Sequence, residues 1–471
     1  MINYVPPNYS FSKNASENYQ VDVNFSYACT QSMESLLIDE AKKSSLLAVA
    51  FIQKLALDGN QQAINLRALY QGYHLFMETG DKNVFIITCE KVSQNSQTDI
   101  LEKNCANYML SLLKNESIDS SLKNAEILIS HLIPHLKETL ALKRPQIVYA
   151  SQEVIIPEIT ARHLAFPDLI KFEGNYYACF READSHVAFQ DFGKIRILKG
   201  NFDASANTWD FEDAGLISKE GFDLRDPRFF IDHHKALRMV MGGSKINEKD
   251  ETADMVPHVA VLTNKTWQIS EAKADPSGNG LTGQWIWRVT WNPHDNHGYG
   301  LSYGKNKMLS LMKTSDGIEF TKIADIGHEP LTDLSEATIR FKANGEATAL
   351  IRARKNGIIA TASTNDYTKW TYETVPFRVG GQDFHFSKNE EKMWAATRHY
   401  FLNEDNTLDE STIIASMNKQ TLIPALRIKS HLDNSYPSMV IEPDGSATVI
   451  YYSSESEKIS RIYITRVTLP I

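Results

Sequence analysis

Charged residues stand inside otherwise apolar stretches at three places in the last two thirds of the chain. The segment CFREA holds Arg181, DLRDPR holds Arg225 and Asp226, and WIWRVTW holds Arg288. An arginine in such surroundings suits the binding of a carboxylate, because its planar fork makes two parallel hydrogen bonds and keeps its charge. The same pattern is also typical of salt bridges between strands. The tryptophans of WIWRVTW suit either sugar stacking or core packing.

Net charge and cysteine content disfavour several classes of protein. The 471 residues carry 58 acidic and 49 basic side chains, a net charge of −9, which argues against a general nucleic-acid-binding protein. The 4 cysteines form no CxxC pair, so the sequence predicts neither a structural zinc site nor a disulfide scaffold. No histidine has a spacing to acidic residues that indicates a metal site, and we expect no metal and no cofactor.

The N-terminus lacks a charged start followed by an apolar run. The longest apolar stretch, near residues 46–57, contains Gln53 and Lys54. We therefore expect neither a secretory signal nor a membrane span. The expected location is the cytoplasm, or the cell exterior after export by a route that needs no signal peptide.

Residues 1–148 are predicted to form a helical domain. Apolar residues recur with helical spacing in residues 32–59, 65–80, 101–115 and 121–143. These segments predict four or five helices, packed as a bundle or docked on the rest of the chain. No catalytic motif stands among them, so we expect a structural or partner-binding role.

Residues 149–471 show period-two patterning, with short strands bounded by Gly, Asn and Asp, and predict an all-β domain. A turn followed by an aromatic residue recurs about 50 to 58 residues apart, with a degraded fifth copy. That period suits the four-stranded blades of a β-propeller, and the length predicts six blades. Chance spacing of hairpins in a double sandwich is the alternative. The repeat positions are Trp209, Trp267, Phe320, Trp370 and, in the degraded copy, Leu422.

The repeated turns resemble eroded Asp boxes, the Ser-x-Asp-x-Gly-x-x-Trp turns of sialidase-type β-propellers, with SDGIEF as the nearest copy. Further segments are similar to the family's chemical positions. The segments FPDLI, FRE, DLRDP, WRVTW and SYP resemble a bacterial branch of this family. The resemblance covers about residues 150–471 and none of the helical part. The matching positions are Asp191 in HVAFQDFG, Glu336 and Arg352 in SEATIRFKANGEATALIRAR, Arg398 in WAATRHY, and Tyr436 in NSYPSM.

The resemblance implies a catalytic role for three of these residues. Tyr436 would be the nucleophile, Glu336 would accept its proton, and Asp191 would act as general acid and later as base. A neutral tyrosine avoids repulsion by the carboxylate of a sialic acid. Each residue also has a structural interpretation, as a strand-opening aromatic, an ion-pair partner or a turn residue. Asp184 is the local competitor of Asp191.

The resemblance also implies substrate-binding arginines, but it is incomplete at one position. Arg352 and Arg398 would bind the substrate, while Ala165 stands where the family places its first arginine. Arg181 or Arg225 could take that place in space, or could form salt bridges instead. Two further candidate substrate contacts are Asp168 and Arg288.

The sequence therefore indicates an exo-acting, retaining, sialidase-like glycoside hydrolase. Its partner would be a glycan or glycoconjugate whose sugar need not be sialic acid. The alternatives are a carbohydrate-recognition propeller without catalysis, or an interaction scaffold whose helical domain binds a protein.

Overall fold

The structure is a computed structural model that describes most of the chain. The first predicted helix, over residues 32–59, lies outside the described residues apart from residue 52. The described residues are 8–13, 19–24, 52, 61–95, 98, 100–154, 156, 159–274, 281, 283–304, 308–327, 333–353, 356–364, 366–390, 392–402, 408–456 and 459–470.

Helices occupy the described chain between residues 61 and 141 and share one apolar core. Leu66, Phe85 and Cys105 have no exposed area at its centre. Ahead of the helices lies an antiparallel hairpin of β1 (Asn8–Lys13) and β2 (Tyr19–Asn24), which the helical prediction did not include. The helical elements are α1 (Gln61–Thr79), α2 (Lys82–Gln94), α3 (Ile100–Lys114), a 3-10 turn (Ser120–Leu122), α4 (Lys123–Leu132) and α5 (Leu136–Ala141).

Strands make up the described chain after the helices. They are β3 (Gln146–Glu153), β4 (His163–Phe172), β5 (Asn175–Ala183), β6 (Lys194–Gly200), β7 (Phe202–Asp203), β8 (Thr208–Trp209), β9 (Glu212–Ile217), β10 (Asp223–Ile231), β11 (Leu237–Ile246), β12 (Thr252–Thr263), β13 (Thr266–Glu271), β14 (Lys273–Ala274), β15 (Gln284–Asn292), β16 (His297–Gly304), β17 (Leu309–Thr314), β18 (Glu319–Ile326), β19 (Ala337–Phe341), β20 (Ala347–Arg352), β21 (Gly357–Ala362), β22 (Thr371–Val375), β23 (Asp383–Phe386), β24 (Met393–Leu402), β25 (Leu408–Met417), β26 (Leu422–Ile428), β27 (Ser435–Ile441), β28 (Ser446–Ser456) and β29 (Ile459–Thr468).

These strands form four separate sheets of four or five strands, one sheet of eight strands and the two-stranded sheet β7-β8. The smaller sheets run β10-β11-β12-β13, β14-β18-β17-β16-β15, β19-β20-β21-β22 and β23-β24-β25-β26. The large sheet runs β27-β28-β29-β4-β5-β6-β9, with β3 added at β29. A single parallel pair, Ser460 with His163, joins β29 to β4. Six separate blades were expected, and four separate sheets of blade size are present in the described chain.

The sheets have a propeller-like arrangement around an axis. The first strand of each strand group lies next to the first strand of the following group: β4 contacts β10, then β15, β19, β23 and β27 follow, and β27 contacts β4 again. Closing the circle brings residues from distant parts of the chain to one place, the inner edge of the sheets. The candidate site lies there.

Two features connect the helices to the strands. β3 pairs with β29, so the boundary expected between residues 148 and 149 falls inside a paired strand, and the change from helix to strand lies between Ala141 and Gln146. Arg144 donates to the carbonyls of Phe76 (2.8 Å) and Met77 (2.7 Å) at the end of α1 and to that of Ala425 (2.8 Å) in β26. The helices therefore pack on the sheet that contains β26. None of the described helices is long and apolar enough to cross a membrane.

Candidate active site

Three of the innermost strands carry a bulge at the same level, and each bulge contains a residue followed by proline. The ladder register shifts between Ala165 and Asp168 in β4, between Arg225 and Arg228 in β10, and between Ser435 and Ser438 in β27. Proline has no N–H to give to a ladder, which favours an interruption there. The residues before the prolines have a left-handed backbone: Phe166 (φ 59°), Asp226 (φ 49°) and Tyr436 (φ 44°).

A left-handed backbone at a residue other than glycine costs energy, and such residues concentrate at functional sites. A fourth shift in β15 lies at Trp287 and Arg288. Glu336 and Gly381 stand at the corresponding entrances of β19 and β23. The six innermost strands therefore present residues of several types to one end of the axis.

Tyr436 and Glu336 are joined directly at this end. The phenol of Tyr436 donates to Oε1 of Glu336 at 2.5 Å. Nη1 of Arg352 donates to the same carboxylate oxygen and to the Tyr436 oxygen, the latter at 3.1 Å. The backbone N–H of Gly381 donates to Oε2 of Glu336 at 2.7 Å. The structure thus brings together three of the residues that the sequence singled out.

Burial and nearby charges keep the Tyr436 phenol protonated and the Glu336 carboxyl group ionised. Burial raises the pKa of the Tyr436 phenol well above its usual value, the negative charge of Glu336 adds to this, and Arg352 and Arg398 oppose it. Burial also opposes ionisation of Glu336, but Arg352 and the hydrogen bonds from Tyr436 and Gly381 outweigh it and hold its pKa below the usual value. At rest the pair is therefore a neutral phenol beside a carboxylate, which is the pairing of a nucleophile with its base.

Close packing fixes the orientation of the Tyr436 ring. The ring of Phe166 meets it edge-on at 5.0 Å between centroids, and that of Trp287 at 5.8 Å. The guanidinium of Arg398 lies 5.1 Å from its centroid. Gly381 adopts φ 57°, and a Cβ there would lie 2.4 Å from Cγ of Tyr436, so a side chain at this position would displace the ring.

Two carboxylates and a backbone carbonyl hold the guanidinium of Arg398. Its Nε lies 2.8 Å from Oε2 of Glu410, and its Nη2 lies 3.4 Å from Oδ1 of Asp433. It also donates to the backbone carbonyl of Asn434. The charge of Arg398 is therefore already balanced by two anions, and it faces the site as a cation over the face of an aromatic ring.

Arg225 and Arg181, the two candidates for the missing first arginine, occupy different surroundings. Arg181 has no exposed area, and it donates from Nε to Oδ1 of Asp223 (2.7 Å) and from Nη1 to the carbonyl of Ser185 (2.7 Å). Arg225 lies 5.0 Å from the centroid of Phe166, and its nearest ion-pair contact is at 3.8 Å, to Oδ2 of Asp223. Of the two, Arg225 is placed beside the site, next to the bulge that follows the buried Ala165.

Asp191 lies in the loop between β5 and β6, where its carboxylate accepts hydrogen bonds from residues of the same loop. Its Oδ2 accepts from the N–H (2.7 Å) and the hydroxyl (2.5 Å) of Ser185, and its Oδ1 accepts from the N–H of Asp184 (3.3 Å). Among the contacts of the described residues, none joins Asp191 to Tyr436 or Glu336. These hydrogen bonds of Asp191 lie within its own loop, and its role as general acid stays a prediction.

Asp168 and Arg288 lie in a buried layer of side chains on the innermost strands β4 and β15. Oδ1 of Asp168 accepts from Nη2 of Arg288 at 2.9 Å, and its Oδ2 accepts from the N–H of Phe229 at 2.7 Å. Arg340 donates to Asp383 in the same layer at 2.7 Å. Asp168 has no exposed area and Arg288 has 3%. This placement favours a structural role over the predicted contact with substrate, because the two side chains form an ion pair with one another away from solvent.

One set of donors among the described residues could span a metal ion: His163, His186 and Asp433, whose ligand atoms lie within 4.8 Å of one another. Nδ1 of His163 faces Nη1 of Arg181 at 3.3 Å. Arginine only donates, so this nitrogen must accept, and the neutral ring then carries its proton on Nε2, the atom that faces Asp433 at 3.7 Å. His186 forms its own hydrogen bond with Asp433 at 2.6 Å. The set therefore contains one histidine hydrogen-bonded to Asp433 and a second, His163, that faces the same carboxylate at 3.7 Å. Because Nε2 of His163 carries the proton in this arrangement, it is not free to bind a metal.

Sequence reasoning gave no role to Phe166, Gly381 or Asp433, and it treated Asp226 only as one charge within DLRDPR. A usable signal was present in the sequence: the pairs Phe166-Pro167, Asp226-Pro227 and Tyr436-Pro437 each stand early in an innermost strand. Aligning the strand groups on these pairs would have placed Phe166 and Asp226 at the level of Tyr436.

Comparison with known proteins finds likeness in structure but not in sequence. No family model matches the chain, and no curated protein matches it. A crystal structure of a protein of unknown function from Dyadobacter fermentans is similar to 70% of this chain and to all of its own length, with a TM-score of 0.57 and 15% identity. A mutant of Trypanosoma rangeli sialidase that displays trans-sialidase activity matches 69% of this chain and 57% of its own length, with a TM-score of 0.48 and 12% identity. A mutant of NanB sialidase from Streptococcus pneumoniae matches 75% of this chain and 72% of its own length, with a TM-score of 0.48 and 9% identity. At these identities the likeness to the Dyadobacter protein shows a shared fold and nothing beyond it.

Proposed function

We propose that this chain is a retaining glycoside hydrolase of the sialidase type, with Tyr436 as nucleophile and Glu336 as its base. The observation that supports this most directly is the 2.5 Å hydrogen bond between the Tyr436 phenol and a Glu336 carboxylate that Arg352 keeps ionised. A phenol with a raised pKa is a poor nucleophile unless its proton leaves as the new bond forms, and Glu336 is in place to take that proton.

The reaction would proceed in two displacements. In the first, the Tyr436 oxygen attacks the anomeric carbon, its proton passes to Glu336, and the glycosidic oxygen leaves with a proton from a general acid. In the second, water attacks the same carbon, the phenol oxygen leaves and recovers its proton from Glu336, and the acid recovers its proton from the water. Arg352, which donates to the Tyr436 oxygen, stabilises the charge that grows on that oxygen as the second bond breaks.

We also propose that the propeller has six blades, with the eight-stranded sheet counting as two. The two halves of that sheet are joined at a single pair of residues, and six innermost strands contact one another around the axis. A shared last blade, in which β3 completes the group β27-β28-β29, would close the circle non-covalently.

For the substrate, we propose a glycan whose sugar carries an anionic group, bound by Arg225 with Arg352. Each charge-assisted hydrogen bond from an arginine is worth about 1.5–3 kcal/mol. Because Ala165 replaces one such arginine, we expect weak turnover of a simple sialoside, about tenfold to a hundredfold below that of an enzyme with three arginines.

The test uses the full chain and a panel of 4-methylumbelliferyl glycosides: neutral sugars, N-acetylhexosamines, uronic acids and a sialoside. We expect hydrolysis of at least one acidic member, and a loss of about 10³-fold or more in kcat/KM for Tyr436→Phe and for Glu336→Gln. Tyr451→Phe is the matched control, because Tyr451 is also buried but lies in the core of the last strands. Full activity in Tyr436→Phe would reject the proposal.

A recognition module without catalysis is the second candidate, and the placement of Asp191 within its own loop favours it. It predicts that no glycoside is hydrolysed while a glycan array still shows binding. Binding that persists in Tyr436→Phe and is lost in Arg225→Met would support this second candidate over the enzyme.

A further inference from the structure

The loop between β5 and β6, residues 184–193, carries Asp191 and reaches the last strand group through the side chain of His186. Nδ1 of His186 lies 2.6 Å from Oδ2 of Asp433. His186 stands five positions before Asp191 in the chain, and Asp433 stands three positions before Tyr436. This hydrogen bond therefore joins the segment that carries the predicted acid to the segment that carries the predicted nucleophile.

The direction of the bond follows from the charge of Asp433. Burial opposes ionisation of Asp433, but the two histidines that face it, His186 and His163, outweigh this and hold its pKa well below the usual value. An ionised carboxylate only accepts hydrogen bonds, so Nδ1 of His186 donates. Hydrogen bonds to an ionised acceptor are stronger than those between neutral groups. The bond is therefore an effective restraint on the position of the loop.

The other partners of Asp433 fix its carboxylate next to Tyr436. Its Oδ1 accepts from the hydroxyl of Tyr452 at 2.8 Å and lies 3.4 Å from Nη2 of Arg398. Arg398 in turn lies over the ring of Tyr436, 5.1 Å from its centroid. Asp433 is 8% exposed. It is therefore a fixed point for the loop, within the same packed group of side chains as the nucleophile.

The ring of Phe166 places His186 beside the site. It meets the ring of His186 edge-on at 5.5 Å between centroids, and that of Tyr436 edge-on at 5.0 Å. The side chain of His186 keeps 26% of its area exposed. The imidazole thus packs against the bulge of β4, one ring away from the nucleophile, without being enclosed in the core.

Within the loop, Asp191 is bonded to the residue that precedes His186. Oδ2 of Asp191 accepts from the N–H of Ser185 at 2.7 Å and from its hydroxyl at 2.5 Å. The carbonyl of Ser185 accepts from Nη1 of Arg181 at 2.7 Å. The position of His186 is therefore passed to the carboxylate of Asp191 through one peptide unit and two short hydrogen bonds.

The far half of the loop is bonded to a different strand group. The N–H of Phe189 donates to Oδ1 of Asp250 at 2.6 Å, and the N–H of Gly193 donates to Oδ1 of Asp223 at 3.0 Å. Asp223 opens β10, and Asp250 lies between β11 and β12. The bond from His186 thus adds a restraint toward Tyr436 that these two bonds do not supply.

We propose that His186 is a positioning residue, whose hydrogen bond to Asp433 holds the loop of Asp191 at the level of Tyr436. This inference rests on the function proposed above, with Asp191 as the predicted general acid. His186 itself exchanges no proton with the substrate. Because a general acid must lie within hydrogen-bond reach of the oxygen that it protonates, a displaced loop impairs departure of the aglycone more than attack by Tyr436.

The experiment compares His186→Leu with His186→Asn in the full chain. The two new side chains have nearly the same shape, but only asparagine carries an N–H donor, bonded to Cγ as Nδ1 is in histidine. The substrates are two aryl glycosides of the sugar that the unaltered chain hydrolyses. One carries 4-nitrophenol, a good leaving group, and the other carries 4-methoxyphenol, a poor one.

The expected losses depend on the leaving group. General acid catalysis contributes about 10²–10⁴-fold, and a good leaving group needs less of it. We expect His186→Leu to lose about tenfold or more in kcat/KM on the poor leaving group and far less on the good one. His186→Asn should stay within about threefold of the unaltered chain on both, since the donor is restored.

A double variant tests whether His186 acts through Asp191. On the poor leaving group, His186→Leu combined with Asp191→Asn should lose no more kcat/KM than Asp191→Asn alone, within a few-fold. A residue that merely supports the fold would add its own loss, and would add it on both glycosides.

Hydrogen exchange gives a readout that does not depend on turnover, because it reports local opening of a loop. The amides of residues 184–193 should exchange about tenfold faster in His186→Leu and at the original rate in His186→Asn. The amides of β4 and β27 should be unaffected in both variants, which verifies that the sheets remain intact.

Several outcomes would overturn the proposal. Equal losses of His186→Leu on the two glycosides, multiplied losses in the double variant, or loop exchange that does not change would each reject the positioning role alone. Absence of turnover in the unaltered chain, or turnover that does not require Tyr436, would reject the proposed function. Faster loop exchange that is confined to His186→Leu would in that case still support placement of the loop by His186.

Discussion

The phenolic oxygen of Tyr436 lies 2.5 Å from Oε1 of Glu336, although 100 positions separate the two residues in the chain. Arg352 donates to both oxygen atoms and thereby links the pair to a third strand. Because Tyr436, Glu336 and Arg352 share these hydrogen bonds, a change in one of them should alter the contribution of the others to catalysis.

The first prediction concerns the dependence of Tyr436 and Glu336 on each other. If Glu336 acts only by taking the Tyr436 proton, the double variant Tyr436→Phe, Glu336→Gln should lose no more kcat/KM than the more damaging single variant, within a few-fold. Steady-state kinetics on the best glycoside of the panel measures this. Multiplication of the two single losses would mean that the residues act in separate steps.

The second prediction concerns Gly381. Alanine there would place a Cβ 2.4 Å from Cγ of Tyr436 and would force a left-handed backbone at φ 57°. We expect Gly381→Ala to lower kcat by about 10²-fold, because a small displacement of the nucleophile is enough for such a loss. Gly380→Ala is the matched control, since its Cβ would meet nothing nearer than 3.8 Å. Equal kinetics in the two variants would show that the ring position is unimportant.

The third prediction concerns stability and pH. An unfolded aspartate titrates near pH 3.9, whereas Asp226 in the folded chain titrates near 6. Between these values the folded chain holds a proton that the unfolded chain has lost, so this group makes the fold less stable as the pH rises through that window. The difference corresponds to about 2–3 kcal/mol at neutral pH.

Asp226→Asn should therefore raise the unfolding temperature at pH 8 and change it little at about pH 3, below both pKa values, where both states hold the proton. Thermal unfolding at the two pH values measures this difference. A gain of equal size at both values would mean that the effect of the substitution does not come from ionisation.

The fourth prediction separates two arginines near the site by their effect on stability. Arg398 balances Glu410 and Asp433, and its removal leaves both carboxylates buried, so Arg398→Met should lower the free energy of unfolding by about 3–5 kcal/mol. Arg225 makes a long ion contact of 3.8 Å and lies over the ring of Phe166, so Arg225→Met should change the free energy of unfolding by about 1 kcal/mol or less.

Although Arg225→Met should change stability little, it should weaken substrate binding. Arg225→Met should raise KM for an acidic glycoside by about tenfold or more and leave a neutral one unaffected, because one charge-assisted contact is lost. Urea titration and steady-state kinetics provide the two measurements. A strongly destabilised Arg225→Met would show that Arg225 is structural.

The amino-acid sequence determined the local patterns of this protein. Helical spacing of apolar residues gave helices at residues 61–141, and period-two patterning with turn residues gave strands from residue 146 onward. These are short-range properties, since each depends on neighbours within a few residues. The same patterning could not decide how many sheets form, because the first and last strand groups join into one sheet through a ladder pair of Ser460 with His163, two residues far apart in the chain.

The tertiary structure alone decided which of the candidate residues meet. Resemblance to a known family placed Tyr436, Glu336 and Arg352 in one site, and their hydrogen bonds form only because six innermost strands close a circle and bring positions 336, 352 and 436 to one end. The resemblance named Asp191 as the acid, with Asp184 as its competitor, and sequence reasoning did not show that Asp226 lies buried at the level of Tyr436. The loop bonds of Asp191 and the buried, partly unbonded carboxyl of Asp226 arise from packing in three dimensions, and it is this burial that raises the pKa of Asp226.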